Sequence, residues 1–154
     1  YYVNDGEFYD GSHCDVLYIS KTQHPPIIVE IQNSISDRWI ALNAIKYCQR
    51  VYNEKKKAIL LVFCITNPPD QVCEYLKQSN KHPFADKYPC VPWAKKCYLI
   101  SPSSVKKFES NTLSPLIALS LFLFEQQPAI LFLKFAHDPI LQQLYELSVN
   151  LCKS

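Results

Sequence analysis

The sequence predicts a mixed α/β domain, a small mixed β-sheet flanked by α-helices with a helical C-terminal part. Three observations predict it. Residues 15–20 (DVLYIS) and 26–32 (PIIVEIQ) are β-branched and aromatic runs, which is strand character. Residues 37–53 carry apolar side chains at 40, 44, 47, 48, 51 and 52, the spacing of one helical face. Residues 58–65 (AILLVFCI) form an unbroken apolar run after three lysines, the pattern of a strand buried on both faces.

The elements follow in order. Residues 1–14 are polar and aromatic and carry no clear assignment. The short polar loop KTQHP joins the first two strands as an antiparallel hairpin. Ser36 or Asp37 caps the helix over 37–53 by accepting from the free N–H groups of its first turn. After the strand at 58–65, Pro68 and Pro69 open a helix near 70–79. A loop rich in proline and lysine follows, then a short strand at 97–100 (CYLI). Helices near 113–126 and 129–151 finish the chain, the latter kinked or broken at Pro139, whose ring cannot continue a helical ladder. Strands interleaved with helices in this order make a sheet flanked by helices.

Composition bounds the rest. With 154 residues there is room for one domain over 1–154, and 48% hydrophobic against 19% charged residues is a globular balance with a sizeable core. The absence of Met, Tyr1 included, leads us to expect a fragment of a longer protein. A net charge of +2 neither demands nor excludes a nucleic-acid partner. The seven cysteines are odd in number, fall partly in apolar runs and form no CxxC pair, so free thiols are expected rather than a disulfide framework. A zinc site from Cys90, Cys97 and His82 matches no standard spacing. Cys48 and Cys64 lie in apolar runs, the wrong setting for a reactive thiolate. The most apolar stretch, 113–124, is too short to span a bilayer, which takes about 20 residues. The expectation is a soluble intracellular protein, in the nucleus or cytoplasm, with no membrane partner.

The hairpin supplies the sharpest inference about chemistry. If its loop is symmetric about Thr22 and Gln23, Tyr18 faces Ile27 and Asp15 lies directly opposite Glu30. Opposed side chains share a face, with Cβ atoms about 5 Å apart. Two like charges there call for compensation, and a divalent cation with oxygen ligands provides it. Glu30 also interrupts the run Ile27, Ile28, Val29, Ile31, where a lone carboxylate is expensive. Gln32 shares its face, the backbone carbonyl of Ile31 is a further candidate ligand, and His13 pairs with Gln32 in the same register.

These pieces resemble the core of the PD-(D/E)XK nuclease superfamily. The match runs through D in "CDVLYI", E-x-Q in "IIVEIQ", the helix "DRWIALNAIKYCQRVY" and the strand "AILLVFCI". It is nearest to the branch of transposase-like and recombination-promoting nucleases that ends its motif in Gln, and "LSPLIALSLFLF" is similar to the C-terminal helices of that branch. The resemblance implies a restriction-endonuclease-like fold, Mg²⁺ (or Mn²⁺) held by Asp15 and Glu30 with Ile31, and hydrolysis of phosphodiester bonds, DNA ahead of RNA. It places Gln32 where the family usually has Lys. Gln can hydrogen-bond a water but brings no positive charge, so the metal alone activates the water or a cation such as Lys46 comes from elsewhere. Lys46 and Arg50, one helical turn apart, either face the site or form a solvated helix face. Glu7 is the available stand-in for the acidic residue that many members carry on an N-terminal helix.

Arg38, Arg50, Lys55, Lys56 and Lys57 are candidate phosphate contacts, with Lys95, Lys96, Lys106 and Lys107 as a second basic cluster. The leading expectation is therefore a nuclease domain with nucleic acid as partner. The alternative is a nuclease-like fold without catalysis, a nucleic-acid-binding or protein-assembly module. The apolar C-terminal helices would then be buried in a second copy or in the rest of a longer chain.

Overall fold

The structure is a computed structural model that describes residues 1–8, 10–52, 56–109, 113–125 and 135–152, without the side chain of Cys152. Its centre is a seven-stranded mixed sheet in the order β1-β2-β3-β4-β7-β6-β5. Strands β1 (Tyr2–Asn4), β2 (Val16–Ile19) and β3 (Ile27–Gln32) pair antiparallel. Strand β4 (Ile59–Cys64) lies parallel to β3, and β7 (Lys96–Ile100) parallel to β4. Short β6 (Asp86–Lys87) and β5 (Lys77–Gln78) continue antiparallel to the far edge. The mixed α/β architecture is the one the sequence predicts.

The parallel centre explains the apolar runs. Ile28, Leu60, Val62 and Leu99 face one core, and Phe63, Tyr98 and Ile100 face the other, so alternate residues of the same strands serve both faces. The first core is closed by one helical stretch made of α1 (Asp37–Trp39), a π-helical segment (Ile40–Ala44) and α2 (Ile45–Tyr52). It buries Ile40, Ala44, Cys48 and Val51. Ser36 caps it, accepting from the Trp39 N–H at 3.1 Å. The second core is closed by α4 (Pro102–Val105), α5 (Pro115–Glu125) and α6 (Pro139–Cys152) through Val105, Ile117, Ala118, Leu121, Leu141 and Tyr145. The result is helices on both faces of a sheet.

Three expectations need correction or limits. The helix near 70–79 is only α3 (Asp70–Cys73), because Val72 alone anchors it and Lys77–Gln78 instead pair with β6. The last helix starts at Pro139 and not at 129; residues 126–134 lie outside the described residues, and Phe135 to His137 form a turn. Asp138 caps this helix, accepting from Ile140 and Leu141 through one oxygen and from Leu113 through the other. Pro139 therefore stands at the first helical position, where its missing N–H costs nothing. Among the described residues no helix is long and apolar enough to cross a membrane.

Candidate metal centre

The β2–β3 register pairs Val16 with Val29, Leu17 with Ile28 and Tyr18 with Ile27, as loop symmetry predicts. One step further, the ladder gives way to side chains. The Asp15 N–H donates to Glu30 Oε1 at 3.1 Å, and the Ile31 N–H donates to Asp15 Oδ2 at 2.6 Å. Each acid thus takes a backbone donor of the opposite strand. Gln32 Nε2 donates to Glu30 Oε2 at 3.2 Å, so Asp15, Glu30, Ile31 and Gln32 form one connected group. Ile31 enters it through its N–H. His13 does not face Gln32; it bridges to Glu7, because the chain has turned away from β3 by that point.

Glu30 is 2% exposed, and Asp15 opposite it is exposed. Glu30 shares the sheet face of Ile28, under the π segment and α2, within electrostatic reach of Cys14, Tyr47 and Cys48. Burial, followed by the charge of Asp15, pushes its carboxyl from 4.5 up to about 7, against the two hydrogen bonds it receives. Burial first, and Glu30 second, push the Cys14 thiol up to about 12. Cys48 and Cys64 are likewise pushed up by burial to about 12, so neither is a nucleophile in this setting. The six described cysteines are free.

A hard divalent cation fits this donor set. Two carboxylates and an amide converge, and the strained ionisation of Glu30 is the electrostatic cost that a positive ion would remove. Among the described residues no group of three His, Cys, Asp or Glu side chains gathers to hold a metal. The pair Asp15 and Glu30 would therefore bind with water filling the remaining positions, as Mg²⁺ prefers.

The cations expected nearby divide into three places. Lys46 and Arg50 both reach Asp10, Lys46 at 2.8 Å; Lys46 first, then the Ser12 hydroxyl, hold the Asp10 carboxyl well below the usual carboxylate range. Asp10 accepts from Ser12 as well, and Phe8 stacks on Tyr47 with its ring 5.7 Å away, so Phe8 and Asp10 lie over α2 beside the acid pair. Arg38 sits in α1. Lys56 and Lys57 lie at the other end of the sheet with Lys95. Lys55 lies outside the described residues. Asp10 escaped sequence reasoning because its partners are distant in the chain. Lys95, grouped by sequence with Lys96, Lys106 and Lys107, stands beside Lys57 instead: it precedes β7 as Lys57 precedes β4, and those strands pair in parallel.

The chain matches no protein-family model, no curated protein and no solved structure. The reading of function therefore stands on the residues.

Proposed function

We propose that the chain is a metal-dependent nuclease domain of the PD-(D/E)XK kind, hydrolysing phosphodiester bonds with DNA ahead of RNA as substrate. The observation that carries the reading is Glu30: a buried carboxyl, pushed up to about 7, held against Asp15 beside the parallel centre of the sheet. Perturbed acids paired in this way are candidates for chemistry. A Mg²⁺ or Mn²⁺ ion held by Asp15 and Glu30 would supply a water of lowered pKa and positive charge for the phosphate. Gln32 orients the Glu30 carboxylate through its amide N–H and offers its own carbonyl to a water. The Ile31 N–H fixes the Asp15 carboxylate in place. Lys46 is committed to Asp10, so it serves a phosphate only by exchanging that partner.

The test is cleavage of plasmid DNA, single-stranded DNA and RNA with Mg²⁺ or Mn²⁺. The parent should cut at least one of them, and Glu30→Gln should reduce cutting by 100-fold or more while keeping the fold. Gln32→Lys should preserve or raise activity by adding an ammonium beside the pair. A Glu30→Gln variant that cuts like the parent would remove the acid pair from the chemistry.

One observation favours the second reading, a binding or assembly module without catalysis. Both oxygens of Glu30 already accept protein donors, and the last motif position carries Gln32 in place of a cation. Under this reading no nucleic acid is cut in either metal, while binding of a nucleic acid or of a second chain persists.

A further inference from the structure

The described residues that lead into β3, β4 and β7 meet at the end of the sheet remote from the acid pair. Their backbones are joined: the Ile59 N–H donates to the Pro26 carbonyl at 2.9 Å, and the Lys95 N–H donates to the Ala58 carbonyl at 2.8 Å. Above this floor lies a cleft of about 230 Å³ lined by Gln23, Pro25, Lys56, Lys57 and Lys95. Lys56 Nζ donates to the Thr22 carbonyl at 3.1 Å, which holds its ammonium at the cleft. Among the described residues the lining thus carries three positive charges and no carboxylate, against a net charge of +2 for the whole chain. Like charges gathered this way repel, and an anion between them turns the repulsion into attraction. Lysine is a compact charge with three donors, suited to the oxygens of a phosphate. Lys57 precedes Val62, the register partner of Glu30, by five residues. At ~3.3 Å per strand residue the cleft stands about 17 Å from the acid pair, so it is a separate site.

We propose that the cleft of Lys56, Lys57 and Lys95 is a phosphate-binding site, and that it anchors a strand phosphate of nucleic acid away from the acid pair. The identity of the carrier rests on the nuclease reading; the phosphate site itself does not. The cleft keeps a strand in place through its backbone and reads no base.

The full chain is titrated against a 20-nucleotide single strand, a 20-base-pair duplex and inorganic pyrophosphate, from 50 to 200 mM salt. The parent is compared with the triple variant K56Q/K57Q/K95Q and with K77Q/K81Q/K87Q, exposed lysines elsewhere, as a control of equal charge. The three cleft lysines are exposed, so the triple variant should keep its thermal midpoint. If it does not, the single variants Lys57→Gln and Lys95→Gln carry the test. Expected is a tenfold or greater loss of oligonucleotide affinity in the cleft variant, with the salt slope reduced by about two. The control should stay within about twofold of the parent. Pyrophosphate bound by the parent and lost in the cleft variant, with no oligonucleotide bound, supports the site with free phosphate as its source and removes the nucleic-acid reading. A cleft variant that binds like the control overturns the site, as does a parent that binds none of the three ligands.

Discussion

At Glu30 a charge and an apolar environment compete, and pH decides the outcome. Its folded value of about 7 lies above the ordinary 4.5. Between those values the native state holds a proton that the unfolded chain has lost. The stability tied to that proton is complete below about pH 4.5 and is lost as pH rises through 7. At ~1.4 kcal/mol per unit this amounts to about 3 kcal/mol for a group this buried. Glu30→Gln removes the dependence. Its amide oxygen still accepts from the Asp15 N–H, and its NH₂ meets Gln32 after that amide turns over. The variant should match the parent near pH 4.5 and exceed it by about 1–3 kcal/mol at pH 8. Urea unfolding at both values reads the difference, and an equal gap at both would mean that Glu30 titrates normally. The opposition of Asp15 and Glu30 was legible in the sequence, because a two-stranded register follows from loop symmetry. The capture of backbone N–H groups by both carboxylates was not, since it depends on where the ladder stops.

Elements defined by long apolar patterns were legible, and those defined by tertiary pairing were not. The runs at 26–32 and 58–65 became β3 and β4 almost residue for residue, because burial on both faces dictates their composition. Strands β5 and β6 have two residues each and no pattern of their own. The N-terminal segment shows the same limit. Gly6 has a φ of 73°, and a Cβ there would stand 2.5 Å from the Cys14 carbonyl oxygen. Only glycine allows that approach, which closes the loop carrying Asp10 on itself through the Cys14 N–H to Gly6 carbonyl bond of 3.1 Å. Gly6→Ala should therefore destabilise the chain by about 1–3 kcal/mol. Amide exchange should rise at residues 10–14 while β4 stays protected. Unchanged exchange at Cys14 would show that the closure does not depend on glycine.

The whole molecule places its chemistry where its layers meet. Helices cover both faces of the sheet, and the acid pair lies at the margin of the first core, where Glu30 is buried under α2 and Asp15 stays open to solvent. A basic cleft occupies the opposite end of the same strands. The layered α/β plan was legible from patterning alone, whereas the separation of the lysines into two ends required the strand order. The central claim is that Asp15 and Glu30 together hold one divalent cation. Mn²⁺ titrated into the full chain at pH 7.5, with free ion read by electron paramagnetic resonance, tests it most directly. The account predicts one ion bound by the parent, and affinity at least tenfold weaker in Asp15→Asn and in Glu30→Gln. A parent that binds no ion, or variants that bind it as tightly as the parent, would contradict the account.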